Sequence, residues 1–252
     1  NDAEERGQIR KGDTLIEATS GNTGIALSMV ASIKGYRIKI IMPETVSSER
    51  IKTMKVYGAE VILYDRLKES REDLGSLIAR NRGLTLIKPY DNEKVIAGQG
   101  TLGLELASQL ATYSIKSADV LVCCGGGGLT AGVALALADA SPELRVRPCE
   151  PEYYDDTSRS LKSGKREVNI GSYNSICDAI LTPTPGELTF PILKEFVGQG
   201  LVVSDLEVLT TMAHVFQRLK LIVEPGGAVA LASALFRKDQ IEGDTVVGVL
   251  NG

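Results

Sequence analysis

The residues best suited to binding chemistry begin with a short loop at positions 18–24, which reads ATSGNTG between a predicted strand and a predicted helix. A helix N-terminus exposes several unpaired N–H groups, and glycine lets a ligand approach the backbone closely. The side chains of Ser20, Asn22 and Thr23 add hydrogen-bond donors, so together with Gly21 they could hold an anion such as a carboxylate. An ordinary N-cap turn is the alternative that these residues leave open.

A second loop contains four consecutive glycines, Gly125, Gly126, Gly127 and Gly128, followed by Leu129. The apolar segment before it predicts a buried strand, and the segment after it predicts a helix. Backbone amides of such a loop can point inward, and the helix dipole favours negative charge. The loop is therefore expected to bind a phosphate group.

The same segment also fits a dinucleotide-binding pattern, which would indicate a nicotinamide oxidoreductase. Gly126, Gly128 and Ala131 have the spacing G-x-G-x-x-A, and Glu150 ends the next predicted strand. A lone pattern of this kind is a weak signal, and it normally lies near the start of a nucleotide-binding unit. Here a full α/β segment precedes it, which favours the phosphate-loop interpretation.

Carboxylate side chains indicate two further candidate sites. Residues 150–156 read EPEYYDD, and they could either supply oxygen ligands to a hard cation or form a solvated acidic loop. Glu224 precedes Pro225 at a predicted helix start. There it could be a capping residue or a group that tunes the electronics of a cofactor ring.

Composition argues against several other classes of protein. The net charge is −4 and the basic residues form no continuous stripe, so nucleic acid is not an expected partner. No apolar run reaches the roughly 20 residues of a membrane span, so no membrane association is expected. The four cysteines are expected to be small buried residues of a cytoplasmic protein. The single histidine, His214, is expected to have a packing or surface role.

Short apolar runs alternate with segments of helical period along most of the chain. This alternation predicts an α/β fold in which parallel-type sheets are flanked by helices. Strands are predicted at residues 14–18, 37–42, 60–64, 84–88, 119–124, 144–149 and 245–250. Helices are predicted at residues 23–33, 48–57, 73–81, 99–111, 129–138, 205–219 and 226–237. Residues 151–191 are polar and rich in turn signals, and they are predicted to be irregular.

Several long motifs resemble a single family of enzymes. The runs ATSGNTGIA and IIMPETVSSER are similar to cysteine synthases. The later runs IAGQGTLGLE, GGGGLTAG, EPEYYDDT, ICDAILTPTPGELTFPI and LKLIVEPGGAVAL resemble serine/threonine ammonia-lyases and serine racemase. Over nearly its whole length the chain resembles the pyridoxal-phosphate enzymes of the tryptophan-synthase-β type, which is fold type II.

The resemblance implies two domains and a role for each motif. Residues 14–93 would form a small mobile domain with the carboxylate loop, and residues 1–13 and 94–252 a large domain with the phosphate loop. The substrate carboxylate would be bound by Ser20, Gly21, Asn22 and Thr23. Ser20 would also be a catalytic acid/base, and Asn22 would reach the cofactor.

The resemblance also implies how the cofactor and a metal would be held. Pyridoxal phosphate would be bound through Gly125, Gly126, Gly127, Gly128, Leu129 and Glu224, with Glu224 near its ring. Mg²⁺ or Ca²⁺ would be bound by Glu150, the Tyr154 carbonyl and Asp156. The implied partners are a small amino-acid substrate and a second copy of the chain in a homodimer.

The implied reaction removes water and then ammonia from serine- or threonine-type β-hydroxy amino acids and gives 2-oxo acids, with racemisation as a further activity. The cysteine-synthase-like first half leaves open a β-replacement that makes cysteine from an O-activated serine and sulfide. A non-catalytic relative is a third interpretation.

Two features of the family are not found at their expected places in residues 1–252. One is the S-x-K motif whose lysine carries the cofactor, which the resemblance places just upstream of Asn1. The other is the serine of an L-S-G-G-N stretch, because here Asn251 follows Leu250. We expect further sequence before Asn1 and after Gly252, and we expect this chain alone to be inactive.

Overall fold

The computed structural model describes residues 2–19, 21–65, 68–170 and 174–251. It forms two units, residues 1–89 and 90–252, and each has a four-stranded sheet of its own. All strand pairs among the described residues are parallel. This confirms the α/β class and the parallel sheets that the alternation of strands and helices predicts.

The sheet of the first unit has the strand order β3-β2-β1-β4. Its strands are β1 (Thr14–Ala18), β2 (Arg37–Pro43), β3 (Glu60–Tyr64) and β4 (Thr85–Ile87). Its helices are α1 (Asp2–Glu5), α2 (Asn22–Lys34), α3 (Ser48–Val56) and α4 (Arg71–Arg82). Successive strand residues point to opposite faces, so Leu15 and Ile40 lie in one buried cluster and Ile16 and Ile41 in another.

The sheet of the second unit has the order β7-β6-β5-β8. Its strands are β5 (Ala118–Cys123), β6 (Leu144–Pro151), β7 (Leu201–Val203) and β8 (Val246–Gly248). Its helices are α5 (Glu93–Thr112), α6 (Gly128–Ala140), α7 (Asp156–Ser163), α8 (Thr189–Phe196), α9 (Asp205–Leu219) and α10 (Pro225–Phe236). Single 3₁₀ turns lie at Asp178–Ile180 and Lys238–Gln240. All residues of β5 are buried, which explains why its sequence is apolar except for Asp119, and Asp119 forms ion pairs with Arg145 and Arg147.

The two sheets have the same strand topology. In each unit the first strand, β1 or β5, lies inside the sheet with later strands on both sides. Open α/β sheets bind ligands beyond the carboxyl ends of their strands, at the point where the strand order reverses. The SGNTG loop follows β1 and the four-glycine loop follows β5, so each loop lies at such a point of its own unit.

The two units differ from the predicted domains in two places. The division falls between Pro89 and Tyr90 rather than after residue 93. Residues 2–13 lie with the first unit, because Ile9 is buried in its core and Glu4 bonds to Lys34 and Tyr36. The mobility of the smaller unit stays a prediction.

Residues 151–191 contain more regular structure than the sequence predicts. Both α7 and the start of α8 fall within this stretch, and β7 follows it. Helix α7 has no apolar stripe, since its buried residues are Asp156, Thr157, Ser158 and Ser160. A helix with a polar buried face gives no apolar periodicity to detect. No helix in the described part of the chain is long and apolar enough to cross a membrane.

Candidate active site

The SGNTG loop joins β1 to α2, and the predicted catalytic residue Ser20 lies outside the described residues. Gly21 is the N-cap residue of α2, and its N–H donates to Thr19 Oγ1 at 3.2 Å. Gly21 has no side chain with which to cap α2, and the first turn of the helix, which begins Asn22-Thr23, has no acidic residue. The positive end of the helix dipole therefore has no acidic residue in its own first turn, which suits a carboxylate-binding loop.

Close packing fixes this loop against the first unit. A Cβ on Gly24 would lie 2.7 Å from Thr19 Cγ2 and 3.1 Å from Met54 Cε. A Cβ on Gly21 would lie 3.0 Å from Arg50 Cδ. Both glycines therefore serve close approach, and Arg50 brings a positive charge next to the loop.

The four-glycine loop turns from β5 into α6. Gly127 is the N-cap residue of α6, and its φ of 90° lies in the left-handed region that favours glycine. Gly127 has no side chain with which to cap this end, and the first amides of a helix have no backbone partner within it. Amides at the positive end of a helix dipole are the arrangement that binds a phosphate, so the loop suits that role.

The orientation of the loop is set by contacts on its outer side. The carbonyl of Gly126 accepts hydrogen bonds from the Thr189 hydroxyl at 2.6 Å and from the Gly186 amide at 3.1 Å. Because a trans peptide is planar, the following N–H, that of Gly127, must point the opposite way. The two hydrogen bonds to the Gly126 carbonyl therefore orient the Gly127 N–H away from Thr189 and Gly186.

An aromatic residue packs directly on the loop. A Cβ on Gly126 would lie 2.3 Å from the Tyr90 ring, and one on Gly128 would lie 2.8 Å from Tyr90 Cβ. On the other side, a Cβ on Gly127 would lie 2.8 Å from Leu193 Cδ1. Side chains at these positions would displace the residues that support the loop.

Sequence reasoning identified the glycines but missed the residues that support them. These are Tyr90, Thr189 and Asp91, whose Oδ1 accepts from the Leu188 N–H at 2.8 Å. The contact between Asp91 and Leu188 spans 97 positions. The only local signal is the Pro185-Gly186 turn, which gives no hint of the partner.

The carboxyl end of β5 also contacts the end of the described chain. Cys123 Sγ donates to Asn251 Oδ1 at 3.2 Å. Burial raises the pKa of Cys123 to about 11, and the charge of Glu224 adds to the shift, so the thiol stays a donor. Glu224 is the N-cap residue of α10, but its side chain makes no capping hydrogen bond there. The predicted position of Glu224 at a helix start is confirmed, and its place near a cofactor ring stays a prediction.

The acidic segment 150–156 is buried at both ends and exposed at Glu152 and Tyr153. Glu150 is fully buried at the end of β6. Its carboxylate accepts from the Thr157 N–H at 2.8 Å, the Ser158 N–H at 2.7 Å and the Ser158 hydroxyl at 2.7 Å. These donors belong to the N-terminus of α7, so a buried carboxylate replaces the apolar stripe that normally fixes a helix.

A second buried carboxylate begins α7. Asp156 Oδ1 accepts from Asn169 Nδ2 at 2.6 Å, whereas its Oδ2 is buried and has no hydrogen-bond partner among the described residues. Burial raises the pKa of Asp156 to about 7. Burial and the charge of Asp156 raise the pKa of Glu150 to about 8, against the opposing effect of its three donors. The charge of Arg159 lowers the pKa of Asp156, but the effect of burial is larger, so this positive charge compensates the pair only in part.

The predicted metal site combines these two carboxylates with the carbonyl of Tyr154. Tyr154 lies between them in a tight turn, where its N–H donates to the Pro151 carbonyl at 3.1 Å. No three Cys, His, Asp or Glu side chains in the described ranges form a group that could hold a metal. The predicted set has two carboxylates and one carbonyl, so it is not a group of that kind and stays a prediction.

The other candidate residues have ordinary surroundings. His214 is exposed on α9, as expected. All four cysteines are buried and free. Burial raises the pKa of Cys149 to about 12, which keeps this thiol unreactive.

Comparison with known proteins agrees with the resemblance in the sequence. The chain is 36% identical over 238 residues to serine racemase of Schizosaccharomyces pombe, which covers 94% of this chain and 72% of that protein. It is also 36% identical to L-threo-3-hydroxyaspartate ammonia-lyase of Saccharomyces cerevisiae, again over 94% of this chain and 72% of that protein. The solved structure of maize serine racemase matches with a TM-score of 0.85 and 30% identity, over 98% of this chain and 75% of that one.

The family described as "Pyridoxal-phosphate dependent enzyme" matches residues 1–252. The match includes both glycine-containing loops, each at the end of an inner strand. The fold of the two units and the order of the motifs agree with it. The chain therefore belongs to the family of pyridoxal-phosphate-dependent enzymes.

Proposed function

We propose that the protein is a pyridoxal-phosphate-dependent lyase that removes water and then ammonia from serine- or threonine-type β-hydroxy amino acids to give 2-oxo acids, with racemisation as a second activity. The observation that carries the proposal is the four-glycine loop, whose outward carbonyl is tied to Thr189 and Gly186. Two relatives that are 36% identical to this chain are a serine racemase and an L-threo-3-hydroxyaspartate ammonia-lyase. The amino acids in these two names, serine and 3-hydroxyaspartate, both have a β-hydroxyl group.

The residues of the chain fit the cofactor. The open amides of Gly125, Gly126, Gly127, Gly128 and Leu129 would hold its phosphate, and Glu224 would lie near its ring. When bound, pyridoxal phosphate withdraws electrons from the α-carbon of an amino acid. The protein's task is to hold the substrate so that the bond to be broken faces a proton acceptor.

The residues of the first unit would bind and orient the substrate. The open N-terminus of α2, with Gly21, Asn22 and Thr23, would bind the carboxylate. The hydroxyl of Ser20 would take or return the proton at the α-carbon. Delivery of a proton by Ser20 to the face opposite the one that lost its proton would give racemisation, whereas loss of the β-hydroxyl as water, followed by hydrolysis, would give the 2-oxo acid and ammonia.

The test uses the full-length protein loaded with cofactor. We expect 2-oxo acid to appear from L-serine, L-threonine or L-threo-3-hydroxyaspartate, and D-serine to appear on chiral chromatography. O-acetylserine with sulfide is the comparison reaction. Formation of cysteine without 2-oxo acid would assign the protein to the β-replacement branch, and absence of a cofactor absorbance band would indicate a non-catalytic relative.

A divalent cation at Glu150, the Tyr154 carbonyl and Asp156 is part of the same proposal. The buried, unpartnered Oδ2 of Asp156 is an unused oxygen beside a second buried carboxylate. Mg²⁺ and Ca²⁺ prefer oxygen ligands of these types, and either would neutralise the pair. The cation would stabilise the segment between β6 and α7 and would not touch the substrate.

Asp156→Asn should remove the response to this cation. We expect the melting temperature of the wild-type protein to rise with Mg²⁺ or Ca²⁺ and to fall with chelator, and the variant to show neither change. Asp155→Asn is the matched control, since Asp155 forms an ordinary ion pair with Arg159 at 3.0 Å. A wild-type melting temperature that is the same with cation and with chelator would remove the cation from the proposal.

A further inference from the structure

A cavity of about 280 Å³ lies in the second unit, at the amino ends of its strands. Helix α5 ends at Thr112 and helix α6 ends at Ala140, and each is followed by a short connection to a strand. Ala118 of β5 and Leu144 of β6 are paired in the sheet, so the two connections lie side by side. The cavity is formed between them, whereas the four-glycine loop follows the carboxyl end of β5.

The ends of two helices make this cavity favourable for a positive charge. The last carbonyls of a helix have no N–H partner within it, and they form the negative end of the helix dipole. Both α5 and α6 end beside the cavity, which is also lined by Glu143 and by Ser141, the C-cap residue of α6. An ammonium group could donate hydrogen bonds to oxygens of these kinds.

Lys116 brings the opposite charge to the same cavity. Among the described residues, the side chains of Lys116 and Glu143 form no ion pair and no hydrogen bond, either with each other or with another group. A lone anion would be repelled by Glu143 and the helix ends, and a lone cation by Lys116. A ligand that carries both charges satisfies the whole lining.

The remaining lining of the cavity is apolar and small. Ala107 and Ala111 lie one turn apart on the same face of α5, and Ile115 follows in the connection to β5. Sites for drug-sized ligands have volumes of about 300–1,000 Å³, so a cavity of about 280 Å³ suits a smaller molecule. The apolar part of such a molecule would have to be compact.

The connection after α5 has an unfavourable backbone conformation at the cavity. Ser114 has a φ of 58°, in the left-handed region that favours glycine. Its N–H donates to the Ala111 carbonyl at 3.0 Å, and the Ile115 N–H donates to the Leu110 carbonyl at 3.0 Å. Glycine commonly occupies this position in such a helix ending. Serine lowers stability here but adds a hydroxyl to the lining, and strained residues concentrate where ligands bind.

We propose that this cavity binds a free α-amino acid with a compact apolar side chain. Its ammonium group would face Glu143 and the helix ends, its carboxylate would face Lys116 and the Ser114 hydroxyl, and its side chain would contact the alanines of α5. The site is separate from the loops that we expect to bind cofactor and substrate. It therefore does not depend on the proposed reaction.

The first test uses the full-length protein loaded with cofactor, and L-proline as the probe. L-proline has both charges and an apolar ring, and as a secondary amine it cannot form a neutral imine with the cofactor. Saturation-transfer NMR titration should give a dissociation constant on the order of 1 mM, as for a ligand of about eight heavy atoms. Pyrrolidine and cyclopentanecarboxylate, which have one charge each, should bind at least about 10-fold more weakly. Equal binding of either compound, or no saturable binding of L-proline, would overturn the proposal.

Variants of the lining locate the bound L-proline. Lys116→Met and Glu143→Gln should each weaken binding about 5-fold, which corresponds to about 1 kcal/mol. Ala111→Phe should abolish binding, because Ala111 is exposed and a larger side chain there fills the cavity. Lys55→Met, at an exposed position of α3, is the matched control and should bind L-proline like the wild type. Undiminished binding by the three lining variants would place L-proline elsewhere and overturn the proposal.

Ser114→Gly separates binding from folding. Glycine relieves the left-handed backbone, so the melting temperature should rise. Loss of the hydroxyl should at the same time weaken L-proline binding about 3-fold. A higher melting temperature with unchanged affinity would overturn the assignment of the Ser114 hydroxyl to the ligand.

Discussion

Thr189 holds the four-glycine loop through a single hydroxyl group. The residue is fully buried, and its Oγ1 donates to the Gly126 carbonyl at 2.6 Å. Without this donor the carbonyl keeps only the longer bond from the Gly186 amide at 3.1 Å. The orientation of the Gly127 amide, which we expect to face the phosphate, depends on that carbonyl.

Thr189→Val should therefore weaken cofactor binding more than it weakens the fold. Valine has nearly the same shape, and loss of one buried hydrogen bond should cost about 1–3 kcal/mol of unfolding free energy. Titration of the full-length apoprotein with pyridoxal phosphate, beside a melting curve, measures both effects. Thr184→Val is the control, since its hydroxyl donates to the Glu167 carbonyl at 2.9 Å, outside the loop. Equal cofactor affinity in the two variants would contradict the role of Thr189.

The sequence predicted the glycines of the phosphate loop but not the residues that pack against them or bond to them. Four adjacent glycines between an apolar strand and a helix have a local pattern, so the phosphate loop was predictable from the residues alone. Tyr90, Asp91 and Thr189 have no such pattern, because their relation to the loop exists only after α5 and α8 have packed. The buried state of Glu150 was hidden for the same reason: its donors come from a helix that the sequence did not predict.

Among the helices, α9 has the best-defined start. Ser204 Oγ accepts from the Glu207 N–H, and the Glu207 carboxylate accepts from the Ser204 N–H at 2.7 Å, which is a reciprocal cap. The same carboxylate is bonded by both terminal nitrogens of Arg237 at 2.7 and 2.8 Å. This pair ties the start of α9 to the end of α10.

Glu207→Gln should lower the unfolding free energy by about 1–2 kcal/mol near pH 7, because it weakens both the cap and a bidentate ion pair. Arg237 holds the pKa of Glu207 below its ordinary value of 4.5. A lowered pKa contributes stability above the unfolded pKa, and that contribution is lost as the pH falls through the folded pKa.

The stability difference between wild type and Glu207→Gln should therefore shrink as the pH falls below about 4.5. Denaturant titrations at several pH values measure this. Glu242→Gln is the comparison, since Glu242 is 74% exposed beside Arg145 and such surface pairs contribute about 0–1 kcal/mol. A difference that grows on acidification would contradict the ion-pair account.

Element prediction was accurate for several elements with a clear apolar period, and it missed α7, α8 and β7. The bounds of β1, β3 and α9 agree with the sequence at both ends. Helix α5 begins at Glu93, well before the predicted residue 99, because Asn92 Oδ1 accepts from the N–H groups of Lys94 and Val95. Helix α7 was missed, since its buried side is polar and it is fixed by Glu150.

On the scale of the whole molecule, each unit has a core of its own. Ile40 is fully buried in the first unit and Leu121 in the second. Ile40→Ala and Leu121→Ala should each cost about 2–5 kcal/mol through lost burial and a cavity. Because the two residues belong to different units, each substitution should mainly promote opening of its own unit.

Hydrogen exchange followed by mass spectrometry distinguishes the two responses. Faster exchange in residues 14–87 for Ile40→Ala, and in residues 118–248 for Leu121→Ala, is the expected result. Equal acceleration across the chain in both variants would show that the units unfold as one body.

The strand topology of the second sheet determines when its strands can pair during synthesis. Strand β1 has both of its neighbours once residue 87 has left the ribosome, since β2 and β4 flank it. Strand β5 gains its second neighbour only with residues 246–248. A growing chain can therefore complete the loop that we expect to bind substrate long before it can complete the strand that carries the cofactor loop. A chain that stops before residue 246 would leave one edge of β5 unpaired, and an unpaired apolar strand edge is a template for aggregation.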